Sequence, residues 1–337
     1  MAEITRRMLR ANEFYVFLVI VVLALLIQFR SGQFFTANNL VDLASAMIVP
    51  GLFAVGAHMV LVSGGIDVSF PALASLAVYA VTRYLVDSNY SGGIIVPLLL
   101  VLVLGALLGA FNGAFTSRLA VPTLIITLGT ANVFSGVMQG ALNSVQIPQL
   151  PTAMAEFGRA SLFTVTNAES GLTSSLPVAF LLLVVVVGIA FVIMRYTMFG
   201  RGIHALGGDE TSAIRAGFKV RRIKFWLYVI VGVIAALSGL VRTSMMGQMH
   251  PTNLLGIEML VIAAVVLGGT AITGGTGSLT GVMLGTLLIV MVQNSMILSG
   301  VPTIWQRFAL GLLIIIGTGV SAVQLTRRRR RQRLVAE

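Results

Sequence analysis

The sequence predicts an all-α polytopic membrane protein of about ten transmembrane helices, with broken helices and re-entrant turns, and three observations support this fold class. Hydrophobic residues make up 57% of the 337 residues and charged residues only 10%, against roughly 25% charged residues in soluble domains. Uncharged stretches at 88–117, 119–155 and 259–306 each exceed the roughly 20 apolar residues that cross a hydrocarbon core. Glycine is frequent, and adjacent glycines interrupt two apolar stretches.

Charged residues, polar stretches and Gly/Pro clusters divide the chain into apolar segments of membrane-spanning length. The predicted spans are residues 14–29, 43–63, 68–86, 94–117, 119–141, 176–194, 225–245, 257–273, 278–299 and 303–321. An even number of spans places both termini on one side of the membrane. Both ends of the chain are basic, with Arg6, Arg7 and Arg10 near one end and the run 327–331 near the other. Under the positive-inside rule we expect that side to be cytoplasmic.

These spans form one predicted transmembrane domain, residues 1–326, followed by a basic cytoplasmic tail at 327–337. Two hydrophilic loops interrupt the domain. The outer loop, 142–175, is polar with little charge, and we expect it to carry a short helix or to lie across the pore mouth. The inner loop, 195–224, is rich in basic residues.

Glycines four residues apart recur inside two spans. The two series are Gly105, Gly109 and Gly113, and Gly277, Gly281 and Gly285. Small residues at this spacing let helices approach closely in lipid, where no hydrophobic drive brings them together. The series therefore predict tight helix packing and not a binding site.

The first interrupted stretch reads Ser-Gly-Gly-Ile-Asp-Val-Ser at residues 63–69. Gly64 and Gly65 break a helix, and irregular backbone at membrane depth is tolerated only inside protein or along a wet cavity. An intramembrane carboxylate such as Asp67 is costly unless it is paired or hydrated. Two interpretations of Asp67 stay open: a structural pin of a re-entrant turn, bonded to nearby hydroxyls and amides, or direct contact with a solute or an ion.

A second glycine-rich break, residues 268–278, occupies a similar place in the second half of the chain. Its helix-breaking residues are Gly268, Gly269, Gly274 and Gly275. Paired breaks in the two halves of a transporter point to an internal repeat and a central pathway. The sequence similarity between the two breaks is weak, so the pattern suggests a repeat without establishing it.

A third motif lies in the inner loop at residues 207–217. Asp209 is typical of a helix N-cap, and Glu210 suits the first turn. Arg215 suits the last turn, and Gly217 fits a left-handed stop. The pattern predicts a two-turn helix displayed on the cytoplasmic face, too short to be stable alone, which either the bundle or a partner must hold.

Signatures of catalysis and of cofactor binding are missing from the sequence. The two lysines, Lys219 and Lys224, do not follow a glycine, so the chain lacks the phosphate-binding loop of ATPases. The histidines His58, His204 and His250 are too scattered to form a metal site, and cysteine is absent. We expect a non-catalytic chain with no cofactor or metal of its own.

Together the motifs resemble the permease subunits of ribose- and galactose-type ABC importers, a family that also includes autoinducer-2 permeases. The matching segments are SGGIDVS at 63–69, TLG at 127–129, GRGIHALGGDETSAIRAG at 200–217 and VVLGGTAITGGTGS at 265–278. The resemblance implies the ABC importer permease fold of ten helices, with a second permease subunit alongside in a homodimer or heterodimer. It also implies cytoplasmic ATPase subunits, which bind ATP and Mg, and an external solute-binding protein.

Candidate functional residues follow from these motifs. The segment that matches 200–217 docks into the ATPase in such permeases, so the resemblance implies a coupling helix. Its residues are Gly207, Gly208, Asp209, Glu210, Ala213, Arg215, Ala216 and Gly217. Polar groups are few in the spans, and the candidate pathway residues among them are Asp67, Ser69, Thr127, Thr130, Asn132 and Asn294.

The favoured hypothesis is the permease subunit of an ABC importer in the bacterial inner (plasma) membrane, translocating a small polar solute, above all a monosaccharide. Autoinducer-2 and nucleosides are alternative substrates, because their importers have related permeases. The rival class is an ion-coupled secondary transporter with Asp67 or Glu258 as its coupling site, and a third is a passive channel. The chain departs from the family's usual residues at Phe70-Pro71, Leu260 and Thr276, so the resemblance does not select ribose.

Overall fold

The computed structural model describes residues 12–167 and 171–298, and in the C-terminal stretch residues 302–306, 308, 311, 312 and 315. The first half contains helices α1 Asn12–Ser31, α2 Ala37–Val62, α3 Phe70–Asp87, α4 Ile95–Arg118, α5 Thr123–Gly140 and α6 Thr152–Arg159. Strands β1 Ser161–Thr166 and β2 Thr173–Pro177 follow. The second half contains α7 Ala179–Tyr196, α8 Met198–Gly208, α9 Glu210–Arg215, α10 Val220–Met246, α11 Glu258–Leu267 and α12 Leu279–Leu298, then a 3-10 turn at Thr303–Trp305.

Five of these helices, α1, α2, α4, α7 and α10, are long and apolar enough to cross a membrane. Within the described ranges a helix also occupies the other predicted spans up to 278–299, although α11 is short because Gly268 and Gly269 end it at Leu267. The predicted tenth span, 303–321, lies largely outside the described residues, and the tail 327–337 lies entirely outside them. The prediction of a helical membrane protein is therefore confirmed, and the count of ten spans stays a prediction.

The outer loop corrects the prediction of an all-α fold. The expected short helix is present as α6, but β1 and β2 form an antiparallel hairpin in which Phe163 pairs with Leu176 and Val165 with Ser174. Alternating hydroxyl, aromatic and β-branched side chains favour a pleated strand, and loop polarity alone does not reveal this alternation. The Asn38 side-chain amide, at the start of α2, donates to the Val165 carbonyl over 3.2 Å, which fastens the hairpin to the bundle.

Helices α2 and α10 form the centre of the bundle. In their most apolar stretches 78% and 67% of the residues are buried, whereas the corresponding fractions in α1, α4 and α7 are 17%, 28% and 22%. The peripheral helices expose large aliphatic and aromatic side chains, such as Leu107 and Val185. An apolar outer surface around a buried centre is the arrangement that a hydrocarbon solvent requires.

The glycine series of α4 packs directly against the backbone of α10. A Cβ atom at Gly105 would lie 2.7 Å from the Gly232 carbonyl oxygen, and one at Gly113 would lie 2.7 Å from the Phe225 carbonyl oxygen. Gly109 fits between them, with its missing Cβ position 3.1 Å from the Gly232 Cα. The predicted packing role of this series is confirmed, and it holds α4 and α10 together along most of their length.

We expect Gly109→Ala to lower the free energy of unfolding by about 1–3 kcal/mol, because the added methyl group overpacks a backbone contact. Gly136→Ala in α5 is the matched control, since no atom lies within 4 Å of its Cβ position. The control gains helix propensity without a clash. Thermal unfolding of the two purified variants compares them directly, and equal melting temperatures would contradict close packing of α4 on α10.

Candidate functional site

The two glycine-rich breaks meet the end of α8 at one point, which we call the glycine junction and define as Gly64, Gly207, Gly274 and Gly275. A Cβ atom on Gly274 would lie 2.6 Å from the Gly64 Cα and 2.7 Å from the Gly207 carbonyl oxygen. Gly64, Gly274 and Gly275 have φ angles of +80°, +87° and +78°, which L side chains rarely adopt. Only glycine allows three chain segments to approach so closely.

Hydrogen bonds satisfy the backbone at this junction. The Gly275 amide donates to the Val62 carbonyl over 2.8 Å, and the His204 ring nitrogen Nδ1 donates to the Gly275 carbonyl over 3.1 Å. Nearby, His58 Nδ1 lies 2.9 Å from the Thr270 hydroxyl and joins α2 to the second break. The breaks in the two halves of the chain are therefore bonded to each other and to the inner loop.

Asp67 lies in a tightly bonded turn beyond the junction. Its side chain is only 4% exposed, and Oδ1 accepts hydrogen bonds from the Ser69 amide and the Ser69 hydroxyl, both at 2.7 Å. The Asn112 side-chain amide in turn donates to the Ser69 hydroxyl over 2.7 Å. These contacts support the interpretation of Asp67 as a structural pin.

Helix α5 completes the turn with two hydroxyl groups. The Ile66 amide donates to the Thr123 hydroxyl over 2.9 Å. The Thr127 hydroxyl accepts from the Val68 amide at 3.3 Å and is 3.2 Å from the Ile66 carbonyl, to which it donates. The structure thus brings together three predicted pathway residues, Asp67, Ser69 and Thr127.

Asn112 and Thr123 belong to the same network, although sequence reasoning did not select them. Asn112 is the one amide side chain inside the apolar helix α4. A single amide in such a helix was the sequence signal that could have identified it as part of a polar network. Among the described residues the Asn112 Oδ1 atom is buried without a hydrogen-bond partner, so the network can accept one further donor such as a water or a solute hydroxyl.

The other predicted pathway residues lie elsewhere. Thr130 is buried one turn after Thr127 on the same helix. Asn132 is exposed, and its side-chain amide donates to the Leu128 carbonyl of its own helix over 2.9 Å. The Asn294 side-chain amide donates to Asn39 Oδ1 over 2.6 Å, at the opposite end of α2 from the junction. The structure does not bring Asn132 or Asn294 to the Asp67 turn.

The inner loop contains the expected cap geometry in a shorter helix. Asp209 is the N-cap of α9, its carboxylate accepts from the Ser212 amide, and hydrogen bonding with Ser212 lowers the pKa of that carboxyl group below its usual value. Gly217 ends the segment with a φ angle of +87°. However, Gly207 and Gly208 form the end of α8 and not the start of the coupling helix, because α8 continues to the Asp209 cap.

The bundle itself holds α9 in place. Ala213 is only 2% exposed and packs in the apolar cluster with Ile203 and Leu206, and Lys224 of α10 contacts the Glu210 carboxylate at 2.8 Å. The opposite face is exposed, and Ile214 has 58% of its surface accessible. The exposed face of α9, which includes Ile214, is therefore the part of the segment available to a partner. Ala213 lies on the buried face.

A polar cavity of 270 Å³ lies between the glycine junction and α9. It is slightly below the usual size of ligand pockets, about 300–1,000 Å³. Residues of both breaks, of the end of α8, of the start of α9 and of α5 and α10 line it: Ser63, Gly64, Gly65, Thr123, Leu206, Gly207, Gly208, Asp209, Glu210, Lys224, Tyr228 and Thr273.

An apolar helical bundle with bonded helix breaks and a polar inner cavity defines a multi-pass membrane protein of the permease class. The chain belongs to the family described as the branched-chain amino acid transport system / permease component, whose model matches residues 39–317. This family assignment confirms the resemblance carried by the glycine-rich motifs.

Curated relatives cover nearly the whole chain. The ribose import permease protein of Bacillus subtilis (strain 168) is 33% identical over 306 residues, 89% of each chain. The ribose import permease protein of Haemophilus influenzae is 29% identical, over 89% of this chain and 90% of the relative. The autoinducer 2 import system permease protein of Yersinia enterocolitica is 29% identical, over 88% of this chain and 79% of the relative. No solved structure matches the chain.

We expect Asp67→Asn to lower stability and transport together, with a loss of about 1–3 kcal/mol in the free energy of unfolding, because the buried bonds to Ser69 weaken. Thermal unfolding and uptake are measured on the same preparation. Asn132→Ala is the control, since its side chain is exposed and its amide donates to the Leu128 carbonyl of its own helix. Lost transport with unchanged stability would instead assign Asp67 to solute or ion contact.

Proposed function

We propose that this chain is the transmembrane permease subunit of an ABC importer, translocating a small polar solute, above all a monosaccharide. The observation that carries the proposal is the glycine junction, which joins both helix breaks to the base of the inner-loop helix. The relatives' names support the substrate class, because two of them are ribose import permeases aligned over nearly the whole chain.

In this proposal α9 is the coupling helix. Its exposed face, with Thr211, Ile214 and Arg215, docks into a separate ATPase subunit that binds ATP and Mg and carries out the hydrolysis. Because α8 ends on the glycine junction, a push on α9 reaches Gly64 and Gly274 through Gly207. Shear of packed helices of this kind converts a local displacement into a change between outward-facing and inward-facing states.

The proposed assembly contains two permease subunits side by side, identical or homologous, with the pathway between them and an external binding protein above. Each permease has ten spans in the bacterial inner (plasma) membrane and cytoplasmic termini. The orientation follows from the basic ends of the chain under the positive-inside rule. In this assembly the chain forms the path of the solute and changes conformation, and it catalyses no reaction.

Autoinducer-2 is the second candidate substrate. The observation that favours it is the relative from Yersinia enterocolitica, an autoinducer 2 import system permease protein with 29% identity over 88% of this chain. Binding of a panel of pentoses, hexoses, nucleosides and autoinducer-2 to the cognate external protein separates these substrates, because selection is proposed to lie there.

Reconstitution in vesicles tests the transport mechanism. We expect uptake of the selected solute only when the chain, its ATPase and its binding protein are present with ATP. An ATPase with its phosphate-loop lysine changed to alanine is the control, and it abolishes uptake. Uptake by this chain alone, driven by a proton or sodium gradient, would contradict the proposal and identify a secondary transporter.

The role of the inner loop is tested by two adjacent glycines. No atom lies within 4 Å of the Gly208 Cβ position, whereas a Cβ on Gly207 would lie 2.5 Å from the Gly275 amide nitrogen. We expect Gly208→Leu to leave stability unchanged but to weaken ATPase co-purification by about tenfold, because a leucine side chain directly before α9 obstructs docking of its exposed face at a cost similar to the loss of one interface contact.

Gly207→Ala is the contrasting variant, and we expect it to lower the melting temperature because it forces the glycine junction apart. Normal ATPase co-purification by Gly208→Leu, together with normal uptake, would contradict the docking role of this segment. That result would leave the importer assignment itself intact, since the vesicle assay tests it separately.

A further inference from the structure

A second cavity lies where the end of α4 meets the start of α10. It has a volume of 410 Å³ and is lined by Ser117, Arg118, Arg221, Arg222, Phe225 and Trp226. We call it the arginine cavity. Three arginines therefore line one space, and all three are exposed.

The glycine packing of α4 on α10 explains why these arginines converge. Gly113 sits against the backbone of Phe225, so the two helices remain in contact up to their ends. Arg118 lies in the last turn of α4, just beyond that contact. Arg221 and Arg222 lie in the first turn of α10, one turn before Phe225. Close backbone packing thus forces like charges together.

The local electrostatics favour a bound anion. A helix N-terminus carries partial positive charge and unsatisfied amide groups, yet the first turn of α10 has no acidic residue and its N-cap, Lys219, makes no side-chain capping bond. Among the described residues none of the three arginines forms a salt bridge. Two arginines at this helix end repel each other and the helix dipole unless an anion neutralises them.

We propose that the arginine cavity binds the phosphate-bearing headgroup of an anionic phospholipid. Helices α4 and α10 are both long and apolar enough to cross a membrane, and a crossing helix has its ends near the level of the headgroups. Trp226 is 55% exposed beside the cavity, as interfacial tryptophans are. Guanidinium groups bind phosphate through paired hydrogen bonds, and Ser117 adds a hydroxyl donor.

This site differs from the general basic surface of the loop. Arg195, near the same end of the bundle, lies over the Phe191 ring at 5.7 Å and does not line the cavity. Arg201 is exposed on α8 and also lies outside it. Basic pockets between transmembrane helices bind acidic headgroups, and Arg195 and Arg201, which lie outside this pocket, supply a matched control.

Native mass spectrometry of the full-length chain in detergent, with added phosphatidylglycerol or phosphatidylcholine, measures the lipid retained. We expect retention of phosphatidylglycerol in preference to phosphatidylcholine. The variant Arg118→Gln/Arg222→Gln should bind phosphatidylglycerol about tenfold more weakly or worse. Arg118→Lys/Arg222→Lys should bind with intermediate strength, because it keeps the charge but loses the paired hydrogen bonds of the guanidinium groups, and melting temperatures confirm that each variant is folded.

The control Arg195→Gln/Arg201→Gln removes two positive charges, as Arg118→Gln/Arg222→Gln does. We expect it to retain as much phosphatidylglycerol as the unchanged chain. An equal loss in this control would overturn the proposal in favour of non-specific attraction. Full competition by millimolar inorganic phosphate would overturn it in favour of a free anion. Unchanged lipid binding by Arg118→Gln/Arg222→Gln, with lost ATPase co-purification, would overturn it in favour of a protein interface.

Discussion

Hydrogen bonding of broken backbone at membrane depth is the constraint on which the rest of this structure depends. Lipid offers no partner for a free amide or carbonyl group, so a helix that stops inside the bundle must be satisfied by protein. Here the two breaks satisfy each other, because the Gly275 amide bonds to the Val62 carbonyl. The absence of side chains at Gly64, Gly207 and Gly274 is what permits that approach.

Glycine serves two mechanically different purposes in this chain. Along α4 and α10 the glycines form a long, continuous contact between two regular helices, which resists relative movement because many backbone atoms touch. At the glycine junction the contact is short and lies between irregular segments. In the proposed mechanism α8 moves relative to the two breaks at this short contact. The contact between α4 and α10 is therefore suited to a rigid part of the bundle, and we infer that the glycine junction acts as a hinge.

Features encoded by neighbouring residues were predictable from the sequence, and features that depend on distant residues were not. The helix breaks, the Asp209 cap and the Gly217 stop follow from local backbone preferences. The addition of Asn112 to the Asp67 turn does not, because only packing of α4 beside that turn brings its amide to Ser69. The hairpin was missed because polarity dominated the interpretation of the outer loop and obscured its strand alternation.

The polar inventory of the described spans bears on where solutes are selected. Asp67 is bonded to Ser69, Thr127 to the backbone of the same turn, and Asn294 to Asn39. The first two of these side chains hold the broken helix and the third joins α12 to α2, so they have little capacity left to discriminate between sugars, since recognition needs several convergent polar groups. In the proposed importer such a permease opens and closes a path, and the external binding protein presents the dedicated polar site for recognition.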